Sequence, residues 1–203
     1  MRRYDPAEQA PTEIYKLMIG AIVPRPIAFV SSIDAAGIGN LAPFSFFTGC
    51  SSNPPVVCFC TTVRSGPAPL KDTLSNIRAT SEFVVNVVSE EFIQNMNATS
   101  AEVPPEIDEF DISGLKRLPS ERVRPPRVAE SHVQMECRLR QIVTVSEQVN
   151  GGYLILGDVL LFHIDEAVMN GDRIDPSLLR AVGRMGGPTY VRTADRFDLA
   201  RPK

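Results

Sequence analysis

The residues from Val133 to Ile164 constrain the fold most, because they read as one long pair of strands. Apolar and polar residues alternate along the first half: Val133, Met135, Cys137, Leu139, Val143 and Val145 are interleaved with Gln134, Glu136, Arg138, Arg140 and Thr144. This period of two is typical of a strand that is buried on one side. Asn150-Gly151 is a strong hairpin signal, and "YLILGDVLLFHI" then predicts a nearly continuous apolar return strand.

The rest of the chain adds shorter strands and few helices. Strands are predicted at about 27–33, 41–48 and 55–62, and "EFVVNVVS" predicts a buried strand. Helices are predicted for 12–19 with Thr12 as the cap, for "PLKDTLSNIRAT" with Asp72 or Thr73 as the cap, and for "EEFIQNMNATS". Regular strands joined by tight turns indicate a mostly β fold, an antiparallel β-barrel with a few helices. We expect a single domain over residues 1–203.

The charge balance gives no electrostatic case for a nucleic-acid partner. The 21 Lys and Arg residues stand against 24 Asp and Glu residues, and no basic run occurs. No apolar run approaches the length of a membrane span, and "MRRYDPAEQAPTE" lacks the apolar core of a signal peptide. We therefore expect a cytoplasmic protein with no membrane partner.

Cysteine and histidine offer little material for a metal site or a hydrolase. Cys58 and Cys60 share one face of "VVCFCTT", but no CxxC or His-x-x-x-His spacing supplies two further ligands. The cysteines are therefore interpreted as small hydrophobic residues, and no metal is expected. There is no G-x-S-x-G motif, and two histidines leave little for a catalytic triad. No side chain is predicted to be catalytic.

The segment 101–131 is proline-rich and charged, and it is long for a plain connection. A binding loop or a segment that wraps a second subunit is the main interpretation. Disorder is the alternative, although the apolar residues Ile107, Phe110, Ile112 and Leu115 are available to pack.

The stretch "PRPIAFVSSIDAAGIGNLAPFSFF" contains two strands that are interrupted by prolines. Two prolines flank Arg25, and Pro43 lies inside "NLAPFS" between the small residues Ala42 and Ser45. Proline lacks an N–H, and irregular backbone can direct its unpaired groups toward the rim of a flat heteroaromatic ligand. An edge strand protected by proline is the alternative, and composition alone favours it.

Five motifs in order resemble the flavin reductase-like, FMN-binding split-barrel family, in the branch that contains flavoredoxin-type proteins. They are "VPRPIAFVSSIDAAGIGNLAPFSFF", "NPPVVCFC", "KDTLSNIRATSEFVVNVV", "VRPPRVAES" with "MECRL", and "AVGRMGGPTYVR". The resemblance covers about residues 12–192. Phe29 stands where relatives often carry tryptophan, which keeps the strand apolar. The resemblance implies an antiparallel split barrel of Greek-key type and a homodimer with flavin at the subunit interface, where Phe44, Phe46 and Phe47 could supply apolar contact.

The resemblance also implies which residues line the flavin. They are Arg25, Pro26, Ser31, Ser32, Asn40, Ala42, Pro43, Phe44, Ser45, Arg184 and Tyr190. Without the resemblance, "GRMGGPTY" is a turn, because G-x-x-G-G is weak as a dinucleotide motif. For the phosphate, family likeness and the helix start at "KDTLSNI" both favour Lys71, Thr73 and Arg64. Solvated surface charge is the alternative for these cations.

The function that this resemblance implies is an FMN-dependent oxidoreductase. A NAD(P)H:flavin reductase would pass hydride from NADH or NADPH to the flavin and onward to free flavin, a partner oxygenase or another acceptor. FMN is favoured over FAD. The alternatives are a flavin-binding electron carrier without nicotinamide turnover and a flavin-binding module without a redox role.

Overall fold

A computed structural model describes residues 1–66 and 69–202. It contains thirteen strands, five α-helices and three single turns of 3₁₀ helix. The helices are α1 (Pro11–Ala21), α2 (Asp72–Thr80), α3 (Ile93–Ala98), α4 (Glu109–Ser113) and α5 (Pro176–Leu179). The strands of the main sheet are β1 (Ala28–Ile33), β2 (Gly39–Phe44), β3 (Phe47–Ser52), β4 (Pro55–Thr62), β5 (Glu82–Val87), β8 (Val133–Ser146) and β9 (Gly152–Ile164). Three strand pairs lie outside it: β6 (Arg117–Leu118) with β7 (Arg127–Val128), β10 (Met169–Asn170) with β11 (Arg173–Ile174), and β12 (Val182–Arg184) with β13 (Tyr190–Arg192).

The seven long strands form one antiparallel sheet in the order β2-β1-β5-β8-β9-β4-β3. The sheet is curled, because β2 and β3 lie at opposite edges and yet only Ser45 and Phe46 connect them. The mostly β, antiparallel fold is confirmed, but the two edges do not pair, so the expected barrel is not closed. Pro43 contributes to this opening, since it has no N–H with which to extend a ladder.

The long hairpin is confirmed, with a wider turn than Asn150-Gly151 alone would give. Residues 147–151 separate β8 from β9, and Asn150 adopts the left-handed conformation at φ 65°. The single strand expected at 41–48 is two strands, because the chain leaves one edge of the sheet after Phe44 and joins the other at Phe47. A side-chain register cannot continue through such a step.

The helices occur where they were expected, but the predicted caps are wrong. Ala10 precedes α1 without a side-chain cap, because the helix begins at Pro11, one residue before the proposed cap Thr12. Lys71 occupies the cap position of α2, so Asp72 and Thr73 lie in its first turn. Both helices therefore begin slightly earlier than the sequence pattern indicates.

Apolar side chains form two cores, one on each side of the strands β1 and β2. The larger core lies inside the curled sheet and is sealed by α2; its centre includes Phe59, Phe83 and Ile155. The second core packs the outer face of β1 and β2 against α3, α4 and the segment after them, with Phe29, Leu41, Phe92, Phe110 and Val128 fully or almost fully buried. The strand β2 is therefore held from both faces.

The segment 101–131 packs against its own chain. It contains α4 and the β6–β7 pair, and Phe110 and Leu115 are buried while Ile107 and Ile112 stay exposed. The buried carboxylate of Glu136 accepts hydrogen bonds from the backbone N–H groups of residues 121–123 and contacts the His163 ring at 2.6 Å. The segment thus forms a fixed wall beside β2.

Two classes of feature are absent from the part of the chain that the structure describes. No helix in residues 1–66 and 69–202 is long and apolar enough to cross a membrane. The same residues hold no group of three or more His, Cys, Asp or Glu side chains that could bind a metal ion, and all four cysteines are free.

Candidate functional site

Three adjoining cavities run along β2 and form one groove, called the β2 groove below. Pro43 lines all three of them. One end, of about 240 Å³, includes Tyr15, Arg184 and Tyr190, and is called the Arg184 end. The other end, of about 90 Å³, includes Lys71 and is called the Lys71 end. The third cavity, of about 190 Å³, shares lining residues with each end, so the three adjoin one another along the strand.

The free backbone edge of β2 presents carbonyl oxygens, which are hydrogen-bond acceptors, to the groove. β2 pairs with β1 on one side only, and Glu109 Oε2 accepts the Leu41 N–H at 2.8 Å on the other. Because backbone groups alternate along a strand, those of Leu41 and Pro43 both point away from β1. Pro43 has no N–H, so this edge offers carbonyl oxygens to a ligand that can donate a hydrogen bond.

Arg25 shapes the Arg184 end. Its side chain is only 4% exposed, and Nη1 donates to the carbonyls of Ile19 and Ile22, each at 2.8 Å. Nη2 donates to the Met185 carbonyl at 2.9 Å, and Nε donates to Ser45 Oγ at 3.2 Å. Arg25 therefore ties the end of α1, the C-terminal segment and the end of β2 together, and its hydrogen-bonding capacity is largely used within the protein.

The Arg184 end has an aromatic and cationic wall. The Arg184 guanidinium lies 4.4 Å from the centre of the Tyr190 ring, and Nη2 donates to the Gly187 carbonyl at 2.7 Å. Arg184 and Tyr190 face each other across the β12–β13 pair, whose turn includes Gly187 at φ 58°. Tyr15 from α1 forms the opposite side and packs against Phe46. "GRMGGPTY" is thus a turn that also supplies two groove residues.

Lys71 and Arg64 bring positive charge to the Lys71 end. Burial and the neighbouring Arg64 lower the pKa of Lys71, and no carboxylate of the described chain lies within 4 Å of its Nζ. Arg64 Nη2 donates to the Leu70 carbonyl at 2.8 Å and lies 3.6 Å from the Asp72 carboxylate. Arg64 Nε is buried and has no hydrogen-bond partner among the residues described. A buried donor without an acceptor indicates a missing partner of acceptor character.

Two polar residues complete the Lys71 end. Thr73 is fully buried in the first turn of α2, and its Oγ1 accepts from Asn40 Nδ2 at 2.8 Å. The hydroxyl hydrogen of Thr73 and the first N–H groups of α2 are thus donors at the same place as the two cations. This donor set suits an anion.

The groove does not include three of the residues that the family resemblance implied. Pro26 is exposed and lies outside all three cavities. Ser31 is fully buried and donates to the Pro126 carbonyl, while Ser32 is fully buried and accepts from Asn76 at 3.2 Å. Both hydroxyls serve packing between β1 and its neighbours, because β1 lies inside the sheet and β2 lies at its edge.

The remaining predicted residues are brought together by the groove. Arg25, Asn40, Ala42, Pro43, Phe44, Ser45, Arg64, Lys71, Thr73, Arg184 and Tyr190 all line it. Sequence reasoning missed Tyr15, Asn97, Ser100 and Glu109, which line it as well. Only the apolar face of α1 could have drawn attention to Tyr15. Nothing in the local sequence distinguishes Glu109 from the other acidic residues of the segment 101–131.

The chemistry of the groove fits a flat heteroaromatic ligand with a phosphate at one end. The Lys71 end supplies cations and a buried donor that has no acceptor in the described part of the chain. The β2 edge supplies carbonyl acceptors, and the Arg184 end supplies aromatic walls. A flavin mononucleotide has these parts in this order: a phosphate, a ribityl chain and a ring system whose rim both donates and accepts hydrogen bonds. The residues present therefore fit that cofactor.

Comparisons with known proteins identify the family of this chain. Residues 19–179 match the model of the "Flavin reductase like domain" family. An uncharacterized protein of Aquifex aeolicus is 40% identical over 187 residues, which are 92% of this chain and 93% of that protein. Nitrilotriacetate monooxygenase component B from Bacillus cereus is 33% identical with a TM-score of 0.93, over 98% of both chains.

A more distant structure shares the fold alone. The flavoredoxin of Desulfovibrio vulgaris (Miyazaki F) is 18% identical with a TM-score of 0.74, over 98% of this chain and 97% of that one. The match of the family model extends over all seven strands of the main sheet, α2 and the segment 101–131. This chain belongs to the flavin reductase-like family.

Proposed function

We propose that this protein is an FMN-dependent oxidoreductase of the NAD(P)H:flavin reductase type. The observation that carries the proposal is the β2 groove, with an aromatic wall at one end and Lys71 and Arg64 at the other. The Nε of Arg64 has no hydrogen-bond partner among residues 1–66 and 69–202. The family description supports a flavin-dependent activity. The proposal of FMN over FAD rests on the size of the Lys71 end, about 90 Å³, which suits one phosphate better than a dinucleotide.

Each groove residue has a proposed task. Lys71 and Arg64 hold the phosphate, because hydrogen bonds from a cation or a buried donor are strongest when the acceptor is charged. Asn40 and Thr73 orient the adjoining polar chain, and the free carbonyls of β2 accept from the ring rim. Arg25 positions α1 and the C-terminal segment so that Tyr15 and Tyr190 flank the ring.

The chemistry itself belongs to the cofactor. Bound FMN would supply the hydride and electron transfer, so the protein would need no acidic or basic side chain at the reacting atoms. The residues of the groove would bind the cofactor, orient it and limit the access of water to it. Because a Bacillus cereus monooxygenase component is among the similar structures, we propose a partner oxygenase or free flavin as the acceptor. A cytoplasmic location is proposed with it, because reduced nicotinamide nucleotides are produced there.

We also propose that the functional unit is a homodimer. None of the residues of α1 is buried, and β3 exposes five of its six residues at a free sheet edge. Tyr15, Leu17 and Met18 of α1 are 40–47% exposed, which is a large apolar area for a helix beside a ligand groove. A second copy that covers α1 and β3 would also enclose the middle of the groove.

Steady-state oxidation of NADH and NADPH tests the activity. The purified protein is assayed with FMN, FAD, riboflavin or no flavin, and the expected result is nicotinamide oxidation that depends on both protein and FMN. FMN that binds without promoting nicotinamide oxidation would contradict the reductase and favour the electron carrier. Absence of both FMN binding and protein-dependent nicotinamide oxidation would contradict both redox roles.

A further inference from the structure

A buried carboxylate lies at the end of the groove where the proposed phosphate would bind. Glu109 is the first residue of α4, is 6% exposed and lines the same cavity as Lys71, Arg64 and Thr73. Its Oε2 accepts the Leu41 N–H at 2.8 Å, which fixes the carboxyl group beside β2. An anion at this end must therefore share the cavity with a carboxylate.

The charges around Glu109 are close to balanced. Lys71 and Arg64 supply two positive charges, and Asp72 faces the same cavity from α2 with a negative one. Asp34 lines the adjoining cavity that Glu109 also reaches. Asp108 precedes Glu109 and is paired with Arg117 at 2.8 Å. Glu102 acts on Lys71 from the segment that follows α3. An ionised Glu109 therefore cancels part of the positive charge that the phosphate needs.

We propose that Glu109 takes up a proton when a phosphate monoester occupies the Lys71 end, so that FMN binding is coupled to pH through this residue. The proposal rests on the proposed function, because it assigns the phosphate to that end. A neutral carboxyl group removes the repulsion and can donate its O–H to a phosphate oxygen. Riboflavin, which lacks the phosphate, leaves Glu109 as it is in the free protein.

The direction of the coupling follows from linkage. Burial raises the pKa of Glu109 in the free protein. The hydrogen bond from the Leu41 N–H lowers this pKa and the nearby Asp108 and Asp72 raise it, and the net shift is upward. A bound phosphate adds another negative charge and raises this pKa again. Between the free and the bound pKa, binding consumes a proton, so FMN affinity falls as the pH rises through that window. The full effect is about tenfold in the dissociation constant for each unit between the two pKa values.

Titration calorimetry with Glu109→Gln tests the proposal. Glutamine keeps an oxygen for the Leu41 N–H but has no charge to neutralise, so the fold should be retained, and thermal unfolding checks that it is. FMN binding is measured in two buffers with different ionisation enthalpies, and the difference gives the protons taken up. The wild-type protein should take up more protons than E109Q. Subtracting the two values cancels the protons that the phosphate itself exchanges, because the phosphate is present in both titrations. At alkaline pH, where Glu109 of the wild-type protein is ionised, E109Q should bind FMN roughly tenfold more tightly than the wild-type protein does.

Riboflavin is the matched ligand control. It should bind both proteins with equal affinity and without proton uptake. Infrared difference spectra of the wild-type protein give a second readout that needs no variant: FMN, but not riboflavin, should increase the signal of protonated carboxyl groups. Equal proton uptake by wild type and E109Q would overturn the proposal while FMN binding itself stands. Absence of saturable FMN binding to the wild-type protein would instead refute the proposed function.

Discussion

Lys71 and Arg64 are adjacent cations, and neither forms an ion pair shorter than 3.6 Å with a described carboxylate. Burial and mutual repulsion disfavour this arrangement, since both lower the pKa of Lys71. A protein gains nothing in stability from holding two half-buried cations together. The arrangement is understandable if an anion joins them, and this makes Lys71 the most informative single residue to change.

Lys71→Ala is expected to weaken FMN binding more than riboflavin binding. A charge-assisted contact contributes roughly 1.5–3 kcal/mol, so FMN affinity should fall by about one to two orders of magnitude. Riboflavin affinity should hardly change, because it has no phosphate. Fluorescence titrations of both ligands at one fixed salt concentration measure the difference.

Lys116→Ala is the control for this variant. Lys116 is exposed, lies outside the three cavities and forms no ion pair with the described residues, so its removal should leave both affinities unchanged. Equal weakening of FMN and riboflavin by Lys71→Ala would show that Lys71 supports the fold and does not contact the phosphate. If neither affinity changed, the phosphate would have to bind elsewhere, and Arg64 would be the next residue to test.

At the scale of single residues, the sequence predicted the groove well where a motif fixes the backbone. Asn40, Ala42 and Pro43 belong to a strand at the sheet edge, so their position in the chain already places them in the wall of the groove. Ser31 lies on the neighbouring strand β1, and its orientation depends on which strands flank it. Glu109 reaches the groove through a long-range contact with Leu41, which no local pattern encodes.

One buried carboxylate holds residues 121–123 of the segment 101–131. Glu136 is completely buried on β8 and accepts three backbone N–H groups of the segment and a bond from the His163 ring. Burial alone would raise the pKa of Glu136, but the N–H groups of Glu121 and Arg122 and the His163 ring together hold it below its ordinary value. This carboxylate therefore stabilises the fold in its ionised form.

Glu136→Gln is expected to lower the free energy of unfolding by about 1.5–3 kcal/mol near neutral pH, because hydrogen bonds to a charged acceptor become bonds to a neutral one. The folded-state pKa is depressed, so the stabilisation is complete above the unfolded-state pKa and is lost as the pH falls through the folded-state value. The difference between wild type and variant should thus shrink in acid. Urea denaturation at several pH values measures it.

Glu13→Gln serves as the surface control for Glu136→Gln, and it should change stability by less than about 0.5 kcal/mol. A loss from Glu136→Gln that stayed constant down to strongly acidic pH would mean that the charge of Glu136 does not act on the segment. The apolar residues of the segment had indicated that it packs, and Phe110 and Leu115 do so. Its anchor on Glu136 was hidden, because Glu136 also fits the polar half of the alternating pattern along β8.

For the whole molecule, the sequence indicated the strands but not how the sheet ends. Alternation along β8 and β9 predicts their pairing, because it depends on neighbouring residues. Closure depends on whether β2 and β3 meet, and that depends on the two residues between them and on Pro43. The open edge and the uncovered α1 are features that a single chain leaves exposed.

A stable dimer is the expected result of sedimentation equilibrium at micromolar concentrations. Thr48→Lys places a charge on the exposed face of β3 and should shift the equilibrium toward monomer. Asp172→Lys, at a turn where the side chain is 95% exposed, is the control that should leave the dimer intact. A monomeric wild-type protein, with or without FMN, would refute the proposed assembly and would leave the groove formed by one chain.

The most direct test of the account is an equilibrium titration of the purified wild-type protein with FMN. Any flavin that co-purifies is removed first, and binding is then followed by flavin fluorescence. The account predicts saturable binding, one FMN per chain, with a dissociation constant on the order of micromolar or tighter. Inorganic phosphate should compete, since it would occupy the Lys71 end. Absence of saturable binding at micromolar FMN would contradict the assignment of the β2 groove as a flavin site.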